Sequence, residues 1–155
     1  MSLRALPSIA IAFILYNIIV LFGGSSGAAA PTGAGADVLN AATEIMHRPL
    51  PILRNIPLPS GERWTMTIGD LLMLVTLILL FVELLKSTYT STASLLDHGL
   101  SMLVFVACLI EFIVVPRAAT SVFFFITVAT LIDVIAGYTI GIRVARRDLS
   151  IGGNN

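Results

Sequence analysis

Charged residues and cysteine are scarce in this chain of 155 residues. Asp, Glu, Lys and Arg together make up 12% of the sequence, and the formal net charge is zero. A nucleic-acid partner is therefore not expected, because nucleic-acid-binding surfaces are strongly basic. The one cysteine, Cys108, lies in an apolar run, so an intrachain disulfide and a metal site built on a cysteine pair are both excluded.

Sequence motifs for chemistry are also lacking. The chain has no P-loop, no HExxH pair and no serine in a nucleophile elbow. Its two histidines, His47 and His98, fall on a long loop and at a span end, so they do not suggest a bis-histidine haem site. The sequence thus predicts a protein that is not an enzyme and that holds no metal or cofactor.

Apolar residues, by contrast, are abundant. They form 57% of the chain, and the mean hydropathy is +0.97, which is typical of an integral membrane protein. A helix needs about 20 residues to cross the hydrocarbon core. Four stretches reach about that length, the first least clearly. The sequence therefore predicts one all-α membrane domain, residues 1–155, with spans at 5–24, 67–85, 95–115 and 118–142. Trp64, Arg117 and Arg143 are predicted anchors at the membrane interfaces.

The first span has a second interpretation. Arg4, the apolar run Ile9 to Phe22 and the small residues Ala28 to Ala30 also fit a cleaved signal peptide. The apolar run is long for a signal, which favours an uncleaved helix.

Loop lengths predict how the spans connect. The Ser/Thr-rich turn at 86–94 and the break at Pro116 are short, so the last three helices are expected to form a tight antiparallel set. Residues 25–66 form a long extracytoplasmic loop. Within it, 37–47 is expected to be a short helix that rests Val38, Leu39, Ile45 and Met46 on the membrane surface. The proline-rich stretch 48–59 favours extended, polyproline-like backbone.

The distribution of basic residues predicts the orientation, since cytoplasmic loops carry an excess of Lys and Arg. With both termini inside, the cytoplasmic side holds Arg4, Lys86, Arg143, Arg146 and Arg147, and the outside holds Arg48, Arg54, Arg63 and Arg117. The sequence therefore predicts a multi-pass protein of the bacterial cytoplasmic membrane with a cytoplasmic tail at 143–155.

Helical phase places the polar and small residues of each span on one face. The three faces are Gly69, Thr76 and Glu83; Asp97, Ser101, Val104, Cys108 and Glu111; and Thr127, Thr130, Asp133, Gly137 and Gly141. Gly137 and Gly141 form a small-xxx-small pair. Gly137, Gly141, Thr130, Ser101 and Thr76 are accordingly predicted to pack helices together.

Three carboxylates, Glu83, Glu111 and Asp70, have a predicted partner near a span end. Glu83 and His98 could pair at the cytoplasmic end. At the other end, Asn17, Glu111, Asp70 and Arg117 could form a network that neutralises the carboxylates.

Asp133 is the exception, because it lies in mid-span and no basic residue is expected at its depth. Three interpretations are open: a protonated, hydrogen-bonded carboxyl inside the bundle, a role in proton or cation movement, or contact with a group from another chain.

The absence of chemical motifs, the small helix faces and the proline-rich loop together predict a non-catalytic accessory or structural subunit of a larger membrane complex. Its expected partners are the lipid bilayer and other membrane subunits, and its oligomeric state is left open. The alternative is a small oligomeric proton- or cation-coupled transporter or channel that uses Asp133, with Glu111 or Glu83 as a relay.

Overall fold

The computed structural model describes residues 7–23, 35–88 and 93–151, and for 93–98, 141 and 143–151 it describes the backbone only. The described chain is mostly helical, as the sequence predicts. The helices are α1 (Ile9–Phe22), α2 (Gly35–His47), α3 (Ile68–Ser87), α4 (Ala93–Val114) and α5 (Ser121–Ile151).

The helix bounds differ from the predicted spans mainly at α5. This helix begins at Ser121 rather than at 118, because Pro116–Ala118 forms a 3₁₀ turn after the extended residue Val115. It also continues to Ile151, through residues that were predicted as a tail. Among the described residues, two helical segments are long and apolar enough to cross a bilayer, Ile68–Ser87 and Ser121–Ile140. The apolar segments Ile9–Phe22 and Gly99–Val114 are shorter, so length and composition alone give two spans rather than four.

Local sequence explains where α3 begins. The Thr67 side chain accepts a hydrogen bond from the Asp70 backbone N–H at 3.1 Å. The Asp70 carboxylate in turn accepts one from the Thr67 backbone N–H at 2.9 Å. This capping box satisfies N–H groups that have no partner within the helix, and it marks the boundary between the loop and the apolar helix.

Contacts between helix ends give the direction of each helix. The backbone N–H of Ser8, before α1, meets Glu83 near the end of α3, so these helices are antiparallel. Gly69 at the start of α3 lies beside Val122 at the start of α5, so α3 and α5 run parallel.

The packing partners of α3 and α4 correct one prediction. The last three helices do alternate in direction, since Phe112 near the end of α4 lies beside Phe124 at the start of α5. However, α3 and α4 each pack mainly on α5, and among the described residues they make little contact with each other. The described parts of these two consecutive helices therefore pack chiefly on α1 and α5 rather than on each other.

Helix α2 forms where a short helix is predicted, but two of the four residues expected on the membrane surface are buried within the chain, and the other two, Val38 and Leu39, are partly buried. Ile45 and Met46 are buried, because α2 packs on the Pro116–Ala118 turn and on α3. Two glycines allow this close approach. Ile45 lies beside Gly23, and the Met46 carbonyl oxygen lies beside Gly69. Helix α2 therefore caps one end of the bundle.

Residues 48–66, which we call the arm, correct the polyproline prediction. They contain a 3₁₀ turn at Pro51–Leu53 and a two-stranded antiparallel hairpin, β1 (Ile56–Pro57) and β2 (Arg63–Trp64). Gly61 adopts a positive φ of 86° in the hairpin turn, where glycine has no steric cost. Proline is tolerated here because a two-stranded ribbon has outer edges that need no N–H donor.

Candidate functional site

Polar side chains are buried inside the bundle together with apolar ones. Among the described residues, the buried polar set is Thr76, Glu83, Ser101, Thr120, Thr127, Thr130 and Asp133. The same interior contains an apolar core that includes Tyr16, Phe123 and Ile126. Large apolar side chains also cover the outer faces of α1, α3, α4 and α5, whereas a soluble helical protein places mainly polar residues on its outer face.

Asp133 is one of these buried polar residues and is only 2% exposed. Its carboxyl group is therefore inside the chain's own bundle and not on the outer face of α5. A group from another chain could reach it only if the bundle opened. Burial therefore favours two of the three interpretations of Asp133: a protonated, hydrogen-bonded carboxyl group inside the bundle, or a role in proton or cation movement.

Several interior hydroxyls satisfy their donors within their own helix. Thr76 donates to the Leu72 carbonyl at 2.7 Å, and Thr130 donates to the Thr127 carbonyl at 2.7 Å. A hydroxyl that donates in this way still has oxygen lone pairs that can accept a hydrogen bond. The interior thus offers acceptor oxygens on two helices, α3 and α5, in the same bundle as Asp133.

The predicted packing residues that can be located lie inside. Thr76, Ser101 and Thr130 are buried, and Gly137 is buried on α5. The side-chain surroundings of Gly141 and Arg143 fall outside the described residues. These small and polar residues therefore serve contacts within the chain, as the simplest interpretation of the helical phase predicts.

Glu83 holds the end of the bundle at which α1 begins. Its Oε2 accepts a hydrogen bond of 2.6 Å from the Ser8 backbone N–H, and its Oε1 lies 3.1 Å from the Lys86 Nζ. A carboxylate at this place also complements the positive end of the α1 dipole. The predicted partner, His98, has a side chain outside the described residues.

The opposite end contains part of the predicted network. The Asn17 amide donates to Glu111 Oε2 at 3.2 Å, which confirms that pair. Arg117, the predicted cation of this network, forms no salt bridge with Glu111 among the described residues, although its charge is near enough for a longer-range attraction. Asp70 does not join the network in the way expected, because its carboxylate is used in the capping box with Thr67.

Tyr16 is a residue that the sequence analysis missed. It is fully buried, and its hydroxyl donates to the Arg117 carbonyl at 2.7 Å and lies 2.7 Å from the Thr120 hydroxyl. Its ring packs on Phe123 with the centroids 4.7 Å apart. The sequence did indicate such a contact, since a tyrosine inside an apolar helix needs a hydrogen-bond partner for its hydroxyl.

Among the described residues, no group of three or more His, Cys, Asp or Glu side chains is arranged to hold a metal ion. No protein-family model, curated protein or solved structure matches this chain.

Proposed function

We propose that this chain is a non-catalytic, membrane-embedded subunit of a larger membrane complex, in which α1, α3, α4 and α5 all cross the bilayer. The observation that carries the four-span topology is the parallel direction of α3 and α5, the two helices that are long and apolar enough to cross. If both cross in the same direction, the chain must return between them. Helix α4 is the segment that makes this return.

Helix α1 is assigned as a span from its direction and its position beside α3. It runs antiparallel to α3, from the level of Glu83 to the level of α2, where Gly23 meets Ile45. It therefore lies beside α3 from about the level of Glu83 to that of Gly69, and it is shorter than α3, which has 20 residues. Its 14 residues correspond to about 21 Å at about 1.5 Å per residue.

The outer surface supports a hydrocarbon environment for all four helices. Each one presents several exposed large apolar side chains, for example Ile14 on α1, Phe81 on α3, Ile113 on α4 and Ile135 on α5. A soluble monomer rarely exposes a continuous apolar surface of this extent. Lipid or a partner's helices would cover it.

The contacts of two carboxylates, buried Glu83 and partly buried Glu111, support a structural role. Glu83 links α3 to the start of α1, and Glu111 links α4 to Asn17 of α1. Each carboxylate links two helices at one end of the bundle. Such contacts stabilise the packing of the helices and require no chemical step.

The outer face of α4 supports the subunit assignment. Gly99 and Ala107 are exposed on this helix, and a Cβ atom on Gly99 would meet no atom within 4 Å. Small residues on a lipid-facing surface let a partner helix approach closely. The buried Gly137 cannot serve this purpose, because it already packs inside the chain.

The location proposed is a bacterial cytoplasmic membrane with both termini in the cytoplasm. Lys86 lies at the bundle end where α1 begins, whereas Arg48 and Arg117 lie at the end covered by α2. With Arg4, Arg143, Arg146 and Arg147 expected on the same side as Lys86, the cytoplasmic side holds five basic residues and the outside holds four, Arg48, Arg54, Arg63 and Arg117. This excess follows the positive-inside rule.

Purification from native membranes in a mild detergent tests the proposed function. We expect the chain to elute with at least one other membrane protein in a fixed ratio, and we expect Gly99→Leu to weaken that association while the bundle stays folded. Gly137→Leu is not a suitable control, because Gly137 is buried. Thr139→Leu is used instead, since it introduces the same side chain at an exposed position on a different helix, α5. A lone, monodisperse chain would contradict the proposal.

The buried position of Asp133 supports a second candidate, a small oligomeric proton- or cation-coupled transporter. A carboxylate near the middle of a span is costly and is often functional, and the interior hydroxyls could relay a proton or coordinate a cation. Reconstituted flux that Asp133→Asn abolishes would favour this candidate. Flux that is absent, or unchanged by the substitution, would exclude it.

A further inference from the structure

The arm, residues 48–66, carries large apolar side chains on its surface. Ile52 is 92% exposed, Trp64 is 44% exposed and Leu58 is 43% exposed. The two strands of the hairpin pack mainly on each other rather than on the bundle. Large exposed apolar residues that are grouped on one short segment indicate a surface that a membrane or another protein covers.

The arm begins at the place where the apolar surface of α3 begins. Only Thr65 and Met66 separate Trp64 from Thr67, the N-cap of α3, and the exposed apolar face of α3 starts at Leu71. If α3 crosses the bilayer, the root of the arm must lie at its boundary. Tryptophan is enriched at this level of the membrane.

Charge on the arm complements an anionic surface. Residues 48–66 contain three arginines and one glutamate, a net charge of +2. Arg48, Arg54, Arg63 and Glu62 are all exposed. Arginine binds phosphate with two parallel hydrogen bonds. The attraction also acts over a Debye length of about 8 Å, so Arg63 need not share a hairpin face with Trp64.

The hairpin is poorly suited to pairing with a strand from a partner protein. Pro57 has no N–H group and lies in β1, and Pro51 and Pro59 flank it. Prolines at the edge of a sheet block the addition of a strand. A bilayer surface needs no such pairing.

We propose that the arm is a lipid-binding element that lies on the outer surface of the bilayer. Ile52 and Trp64 enter the interfacial region, and the arginines bind the phosphate groups of anionic phospholipids. This inference rests on the proposed membrane location of α3. The inference adds to that location a preference of the arm for anionic phospholipids.

Trp64 makes the test direct, because it is the one tryptophan in the chain. The full chain is reconstituted in phosphatidylcholine vesicles with and without phosphatidylglycerol. Its fluorescence is then quenched either by aqueous iodide or by a phospholipid with a nitroxide at shallow depth. We expect the nitroxide lipid to quench Trp64 strongly, iodide to quench it weakly, and phosphatidylglycerol to increase this contrast.

Substitutions on the arm separate its two contributions. Arg54→Gln and Arg63→Gln should each lower the equilibrium constant for the surface-bound arm by up to about fivefold in phosphatidylglycerol vesicles, with little change in phosphatidylcholine alone. Ile52→Ser should weaken binding in both. Glu62→Gln is the matched control, since it removes a charge of opposite sign from the same arm and should not weaken binding.

The outcomes distinguish this inference from the proposed function. Protease protection of α3 and α5 in the same vesicles tests membrane insertion, and its failure would overturn both. Normal protection with Trp64 freely quenched by iodide would overturn the arm proposal alone. Protection of Trp64 only after a co-purifying protein is added would likewise overturn it, in favour of protein docking.

Discussion

The hydroxyl of Tyr16 on α1 lies 2.7 Å from the hydroxyl of Thr120, which directly precedes α5. The same Tyr16 hydroxyl donates to the Arg117 carbonyl at 2.7 Å. Together these bonds join the first helix to the Pro116–Ala118 turn that connects the last two. That turn also supports α2, so Tyr16 connects the bundle to its cap.

Removal of this hydroxyl should loosen the capped end of the bundle. Tyr16→Phe keeps the ring contact with Phe123 but leaves the Arg117 carbonyl without its donor. We expect a loss of about 1 to 2 kcal/mol in the free energy of unfolding, measured by denaturant titration in detergent. Thr139→Val is the control, because the Thr139 hydroxyl is exposed and bonds within its own helix to Ile135. Equal losses in the free energy of unfolding for Tyr16→Phe and Thr139→Val would show that the Tyr16 hydroxyl does not stabilise the capped end of the bundle.

Gly69 should tolerate no side chain. A Cβ atom there would lie 2.9 Å from Val122 Cγ2 and 3.0 Å from the Met46 carbonyl oxygen. The carbonyl belongs to the backbone and cannot rotate away. Gly69→Ala should therefore destabilise the protein by about 1 to 3 kcal/mol.

Gly99 provides the matched control for Gly69, since a Cβ atom at Gly99 would have no neighbouring atom within 4 Å. Gly99→Ala should be neutral or slightly stabilising, because alanine has the higher helix propensity. Thermal unfolding in detergent compares the two. A Gly69→Ala variant as stable as Gly99→Ala would show that α2, α3 and α5 do not meet at this point.

Asn17 and Glu111 should be energetically coupled. The Asn17 amide donates to Glu111 at 3.2 Å, so Asn17→Leu and Glu111→Leu each remove one side of the same bond. A double-mutant cycle should give a coupling of about 0.5 to 1.5 kcal/mol. Additive effects of the two substitutions would mean that the contact contributes nothing to stability.

Glu83 should control the start of α1. Glu83→Ala removes the acceptor of the Ser8 N–H, whereas Glu83→Gln keeps an acceptor and removes only the charge. We expect hydrogen exchange at Ser8 to accelerate clearly in the alanine variant and only slightly in the glutamine variant. Lys86→Gln should leave the Ser8 bond in place, so fast exchange in that variant would contradict this assignment.

Helical periodicity predicted the inner faces well. Thr76, Ser101, Thr130 and Asp133 were assigned to inward faces from spacing alone, and all four are buried. This succeeded because a helix fixes which residues share a face, whatever it packs against. The Asn17 and Glu111 pair followed from depth in the same way.

Sequence could not predict the contacts that depend on how helices are ordered around the bundle. The packing of α3 and α4 on α5, rather than on each other, is determined by contacts between distant parts of the chain. The burial of Met46 likewise depends on the absence of a side chain at Gly69, on another helix. Asp70 was placed in the wrong network because depth alone does not distinguish a capping carboxylate from a bridging one.

The central claim is that α1, α3, α4 and α5 all cross the bilayer. Cysteine labelling tests it most directly, in a Cys108→Ala background that is free of native thiols. Single cysteines are placed at Ser2, Ser60, Thr88 and Ala119, and intact cells are treated with a membrane-impermeant maleimide. We expect Ser60→Cys and Ala119→Cys to react from outside, and Ser2→Cys and Thr88→Cys to react only after permeabilisation. Labelling of Ser60→Cys and Ala119→Cys from opposite sides of the membrane, or of Ser2→Cys from the same side as Ser60→Cys, would contradict the four-span bundle.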